Sequence, residues 1–65
     1  MSTFISRLEE EKKELSLKMV ALRNFINSEA FNKIDDVQMT LLNIQLKAME
    51  TYSQCLLERI VRLNK

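Results

Sequence analysis

Four polar side chains recur every seven residues along the second half of the chain: Gln38, Gln45, Tyr52 and Arg59. On a helix, this spacing places them along one line that drifts only slowly around the axis. A tyrosine ring offers a stacking face, a guanidinium offers a forked donor for phosphate, and glutamine amides can bond to the edge of a base. These are the side-chain types that a small nucleotide ligand would need.

The same line also fits a second interpretation, in which it stabilises an interface between copies of the chain. Glutamine amides would then bond across a twofold axis, and Arg59 would pair with a carboxylate such as Glu58 or Glu11 of a neighbouring copy. Polar groups at such a position must be paired or face a cavity, because a buried unsatisfied amide or guanidinium costs several kcal/mol. The sequence leaves a ligand pocket and an interface ladder both open.

The composition argues against catalysis and metal binding. The 65 residues include one Cys and no His, so neither a disulfide within the chain nor an imidazole for acid-base work is available. We find no nucleophile dyad and no metal-ligand cluster in the sequence, and we expect no enzyme, no cofactor and no metal. Cys55 is expected to be reduced, and to be a small buried apolar residue rather than a nucleophile.

The charge pattern argues against DNA and membranes as partners. Ten basic and nine acidic residues give a formal net charge of +1, which provides no general attraction for DNA or for an anionic membrane. No apolar run approaches the roughly 20 residues that are needed to cross a bilayer. The N-terminal stretch carries Glu9, Glu10 and Glu11 where a signal peptide would have its apolar region, so we expect a cytoplasmic protein.

Apolar residues alternate by three and four in two segments, and the absence of Gly and Pro favours helix nearly throughout. The first stripe comprises Ile5, Leu8, Leu15, Met19, Leu22 and Ile26, and the second comprises Met39, Leu42, Leu46, Met49, Leu56, Ile60 and Leu63. We predict helices over about 3–26 and about 36–64, joined by a turn or short helix over about 27–35.

The two stripes come into register when the second helix folds back antiparallel to the first. Pairing Ile26 with Met39 brings Leu8 to Leu56 and uses both helices from end to end. A short connection favours the same arrangement. We therefore predict an all-α protein, with residues 1–65 forming a single helical hairpin.

One polar residue interrupts the spacing of each stripe, and the register sets these two residues, Lys12 and Ser53, against each other. One interpretation is a polar layer, in which the Lys12 stem packs while its ammonium reaches outward and the pair fixes the register. The other is functional, with Lys12 holding an anionic ligand. Lys12 is therefore a candidate ligand residue together with the heptad line of Gln38, Gln45, Tyr52 and Arg59.

Two residues mark the connection between the helices. Asn27 is predicted to end the first helix in the left-handed conformation that Gly usually adopts there. Asp35 is predicted to cap the second helix, with Gln38 three residues later completing a capping box. Phe31 and Ile34 are expected to close this end of the core.

One seam between two helices leaves further apolar residues without a partner. The candidates for an interface between copies are Val37, Leu41, Ile44, Ala48 and Cys55 on the second helix, together with Phe25 on the first. A contiguous exposed patch of this kind is rare on soluble monomers and usually marks an interface. We predict assembly into a homo-oligomeric helical bundle, either of two hairpins or as a larger ring.

Four short motifs extend over most of the chain. They are R-L-x-x-E-x-x-E-L at residues 7–15, F-I-x-S-x-x-F at residues 25–31, L-L-x-x-Q-L-x-x-M-x-x-Y at residues 41–52, and a closing R-I at Arg59 and Ile60. With these motifs the chain resembles a family of short uncharacterised helical proteins encoded by tailed bacteriophages, of the T-even and crAss-like kinds. The resemblance implies a phage origin, an accessory rather than a virion role, and no enzymatic activity.

The resemblance also implies a function by class, because many very small phage proteins disarm host defences. The chain would then be a stoichiometric binding protein in the host cytosol that either sequesters a cyclic oligonucleotide immune signal or inhibits a host defence protein. The alternative is a purely structural oligomerisation or scaffold module with no small-molecule ligand. These hypotheses differ in whether the heptad line binds anything besides another copy of the chain.

Overall fold

The computed structural model describes residues 3–64, and this part of the chain contains helices and no strand. Helix α1 spans Phe4–Ile26, a short 3-10 helix spans Glu29–Lys33, and helix α2 spans Asp36–Leu63. The predicted all-α class with two long helices is confirmed. The predicted short helix in the connection corresponds to the 3-10 segment.

Helix α1 begins at a reciprocal cap that the sequence analysis did not identify. The backbone N–H of Ser6 donates to the Thr3 hydroxyl at 3.0 Å, and the backbone N–H of Thr3 donates to the Ser6 hydroxyl at 2.9 Å. This capping box satisfies backbone donors that a helix start leaves unpaired. Ser6 occupies the position that usually holds Glu or Gln, and the usual signature is therefore missing from the sequence.

Helix α2 begins where the sequence predicts it. The backbone N–H of Gln38 donates to the Asp35 carboxylate at 2.8 Å, so Asp35 is the N-terminal cap. In the described part of the chain the Gln38 side chain makes no return bond, and the capping box is therefore only half formed.

The prediction of a left-handed Asn27 is wrong. Asn27 has φ −89° and ψ 5°, and none of residues 3–64 has a positive φ. Its backbone N–H donates to the carbonyl of Arg23 at 3.1 Å, and its side-chain amide donates to the same carbonyl at 3.0 Å. The chain leaves α1 by tightening into the 3-10 helix, which needs no reversal of hand.

The connection closes one end of the hairpin with an aromatic pair. Phe31, in the 3-10 helix, meets Phe25 edge-on, with ring centroids 6.1 Å apart and ring planes at 81°. Both rings and Ile34 are half-buried. The turn is therefore held by side-chain packing in addition to its backbone hydrogen bonds.

The two long helices pack antiparallel. Leu8, near the start of α1, forms one buried cluster with Leu56 and Ile60, near the end of α2, and Leu15 packs against it. This cluster contains the predicted pair of Leu8 and Leu56. The end of α1 is joined to the middle of α2 by an ion pair in which the Arg23 guanidinium donates to a carboxylate at 3.2 Å.

The acceptor of that ion pair is Glu50. Its second carboxylate oxygen lies 3.6 Å from the Lys47 ammonium, one helical turn earlier. The hydrogen bond from Arg23, with the positive charge of Lys47, lowers the pKa of Glu50 below its ordinary value. The side chains of Arg23 and Glu50 both remain largely exposed to solvent. This ion pair therefore adds little to the stability of the hairpin and mainly fixes how the two helices lie against each other.

The hairpin is a thin rod with a small core. It measures 46 × 19 × 13 Å, and the buried apolar residues within the described range are Leu8, Met19, Leu56 and Ile60. A small two-helix unit of this kind buries little of its apolar surface. Neither long helix contains a stretch apolar enough to traverse a bilayer over residues 3–64.

Candidate binding surface

One face of α2 carries apolar residues that the hairpin leaves exposed. We name this face the outer stripe, and it consists of Val37, Leu41, Ile44, Ala48 and Cys55. Val37 is 67% exposed, Ile44 58% and Leu41 50%. Val37 and Cys55 are 18 residues apart, which is about five helical turns, so the stripe runs straight along the helix. Its exposure shows that it points away from α1.

Cys55 lies on this stripe and is exposed. The prediction that it is buried is therefore wrong for the single hairpin, because its position on α2 is turned away from the seam. Phe25, the remaining candidate for the interface, is half-buried and contacts Phe31 at the connection. It lies on α1, apart from the outer stripe, and only part of its surface remains available.

The heptad line follows the edge of the outer stripe. Gln38, Gln45, Tyr52 and Arg59 are all exposed, Tyr52 by 44%. Within residues 3–64, the side chains of these four residues form no hydrogen bond and no ion pair with other side chains. Their polar groups are therefore available for a ligand or for a second copy of the chain.

Arg59 makes one contact across the hairpin. Its guanidinium carbon lies 5.7 Å from the centroid of the Phe4 ring, within the range of a cation–π attraction. Phe4 is itself 56% exposed. The ring supports the flat guanidinium from one side and leaves its N–H donors for another group.

Phe4 is a further candidate for this surface, through its contact with Arg59, that was not predicted from the sequence. The signal was present, because the stripe pair that follows Leu8 and Leu56 in the predicted register is Ile5 with Ile60, and the residues that precede these two, Phe4 and Arg59, then lie on the same edge of the hairpin. Phe4 belongs to neither apolar stripe and to none of the predicted sites, so the periodic pattern alone did not single it out.

Lys12 lies in a different place. It lines a shallow groove of about 340 Å³ whose walls are Glu9, Lys12, Lys13, Ser16, Leu57 and Ile60. Leu57 and Arg59 are two positions apart, so their side chains point about 200° apart around α2. The structure therefore brings Gln38, Gln45, Tyr52 and Arg59 onto one edge of the hairpin and does not bring Lys12 to them.

Comparison with known proteins identifies relatives of this chain. A family model described as Sequestin matches residues 2–62. The chain is also 36% identical over 62 residues to an uncharacterized 7.5 kDa protein in the denB-rIIB intergenic region of Enterobacteria phage T4, which covers 95% of this chain and 97% of that protein. No solved structure matches the chain. The resemblance to short proteins of tailed bacteriophages is confirmed.

Proposed function

This chain belongs to the Sequestin family, and from that premise we propose that it is a non-catalytic binding protein that self-associates and sequesters a cyclic-nucleotide immune signal of the host. The family name suggests sequestration as the mode of action. A sequestering protein acts stoichiometrically, by lowering the concentration of free signal below the level that its receptor needs. The residues of α2 supply the argument for the chemical class of the ligand.

The exposed heptad line is the observation that carries this proposal. Tyr52 offers a ring face on which a base can stack, an interaction of about 1–3 kcal/mol per base. Arg59, supported by the Phe4 ring, offers charge-assisted hydrogen bonds to a phosphate. Gln38 and Gln45 provide both donors and acceptors for base edges. One line thus combines groups for each part of a nucleotide.

Two arguments support self-association: the outer stripe is exposed, and a small-molecule site must enclose its ligand. Val37, Leu41 and Ile44 are each at least half exposed, which is costly in water for an unpartnered face. Ligand sites also enclose most of the ligand surface, and a single exposed helix provides only one wall. A second copy of the chain would cover the stripe and supply the second wall.

Thermal melting with a panel of cyclic dinucleotides and trinucleotides tests this function. A ligand that binds only the folded state stabilises it by about 2.7 kcal/mol when its concentration is 100 times Kd, so we expect the Tm to rise with at least one member of the panel. Tyr52→Ala and Arg59→Ala should each abolish the rise. Arg7→Ala removes an exposed arginine of α1 and should leave the rise unchanged.

A flat response across the panel would contradict the nucleotide form of the proposal and would favour inhibition of a host defence protein through the same surface. The remaining candidate is a purely structural oligomerisation module, which the apolar character of the outer stripe favours. In that case, Tyr52→Ala and Arg59→Ala would weaken the oligomer, and no ligand would bind.

A further inference from the structure

We infer that two copies of the chain pair through antiparallel α2 helices about a twofold axis at Ala48, so that each ligand site is built from both copies. The inference rests on the self-association in the proposed function and specifies its geometry. Three features of α2 support it independently of one another: the distribution of side-chain size along the outer stripe, the midpoint of the heptad line, and the charges at the two ends of the helix.

Side-chain size places the axis at Ala48. Leu41 and Cys55 lie seven residues before and after it, and Ala48 is the smallest residue of the outer stripe. Two helices pack with axes about 8–10 Å apart, at the short end of that range where small side chains meet. An antiparallel pair centred here sets Ala48 against the partner's Ala48 and Leu41 against the partner's Cys55.

The heptad line is centred at nearly the same point. The midpoint of Gln38, Gln45, Tyr52 and Arg59 falls between positions 48 and 49, so an axis at Ala48 sets Gln45 beside the partner's Tyr52 and Gln38 beside the partner's Arg59. A parallel pair would instead set Arg59 against the partner's Arg59. Facing like charges costs free energy, and this argues for the antiparallel arrangement.

The ends of α2 carry opposite charges. Asp35 and Asp36 lie at its start, whereas its last two turns carry a net positive charge, from Arg59 and Arg62 against Glu58, whose carboxylate accepts a hydrogen bond from Gln54. Neither arginine takes part in the ion pairs of the described residues, both of which use Glu50. The antiparallel arrangement sets Arg62 within two residues of the partner's Asp36, about 3 Å along the axis. The helix dipoles are then also aligned favourably.

This geometry completes the ligand site. On one edge of the pair, Tyr52 and Arg59 of one copy face Gln45 and Gln38 of the other, and the twofold axis repeats the arrangement. The stacking ring and the phosphate donor would therefore come from one copy, and the amides that bond to the base edge from its partner. We expect two equivalent sites per pair of hairpins.

The native cysteine makes the arrangement testable by oxidation. The two Cys55 positions lie about 21 Å apart along an antiparallel pair centred at Ala48, whereas a disulfide needs Cα atoms within about 7 Å. Oxidised wild-type protein should therefore form no covalent dimer. Leu41→Cys sets an introduced thiol opposite the partner's Cys55, and oxidation should convert most of this variant into a disulfide-linked dimer.

Two controls use the same chemistry, and circular dichroism reports whether each variant is folded. Leu41→Cys combined with Cys55→Ala should not crosslink, because the introduced thiols again lie about 21 Å apart. Ala48→Cys combined with Cys55→Ala places the introduced thiols at the axis, and it should crosslink even if Leu41→Cys does not fold.

Sedimentation of the wild-type protein separates the possible failures. Two results would refute the antiparallel arrangement in a protein that sediments as an oligomer. In one, the wild type crosslinks as readily as Leu41→Cys; in the other, neither Leu41→Cys nor the Ala48→Cys variant crosslinks. The proposed function would stand in both cases. If the protein sediments as a single chain, self-association fails, and the proposed function fails with it.

Discussion

Leu56 has no exposed surface and lies in the buried cluster with Leu8 and Ile60. Truncating a fully buried leucine costs the transfer free energy of the lost methyl groups plus that of the cavity left behind, about 2–5 kcal/mol in total. The core of a chain of this size stabilises the folded state by about 3–5 kcal/mol, so the truncation would remove most of that stabilisation.

We therefore expect Leu56→Ala to reduce the free energy of unfolding, measured in urea, by about 2–5 kcal/mol or to abolish folding. Leu57→Ala is the matched control, because it removes the same leucine side chain from the neighbouring position, where 40% of the residue is exposed. It should cost clearly less. Equal losses for the two variants would show that the seam lies elsewhere on α2.

The sequence was most informative about individual residues where a periodic pattern repeated. The pairing of Leu8 with Leu56 followed from stripes that extend over several helical turns. Because many residues define each stripe, one exception to the pattern would not have changed the predicted pairing. Lys12 was different, because its association with the heptad line rested on side-chain type alone. Nothing in the sequence pattern indicated that the seam would separate Lys12 from Arg59.

At the level of the helices, the start of α2 depends on one hydrogen bond from the Gln38 backbone to the Asp35 carboxylate. Removing an N-cap side chain of this type costs about 0.5–2 kcal/mol. We expect Asp35→Ala to lower the Tm measured by far-UV circular dichroism. Asp35→Ser keeps a capping oxygen and should lower the Tm much less. If Asp35→Ser were as damaging as Asp35→Ala, the role of the cap would be refuted.

The two helix termini at the connection show why caps are harder to predict than helices. Asp35 caps α2 through a local contact three residues ahead, and local contacts of this kind can be read from sequence. The conformation of Asn27 depends instead on the element that follows it. A 3-10 helix anchored by the packing of Phe31 on Phe25 keeps Asn27 right-handed, and that packing is a tertiary effect.

At the scale of the whole molecule, the hairpin follows from periodicity, whereas its assembly does not. The two stripes suffice to predict two long helices that meet along one seam. The outer stripe predicts that a further surface must be covered, but periodicity does not say what covers it. The size of Ala48, the midpoint of the heptad line and the charges at the ends of α2 are the features on which the proposed pairing with a second copy rests.

Native mass spectrometry of the full chain, purified from its host cell, tests the central claim most directly, because it reports stoichiometry and bound small molecules together. We expect an even-numbered oligomer that carries an added nucleotide-sized mass, and we expect Arg59→Ala to lose that mass. Ile44→Glu, in the outer stripe, should dissociate the oligomer, whereas Leu17→Glu, at a 64% exposed position of α1, should not. A single chain with no added mass would contradict the account.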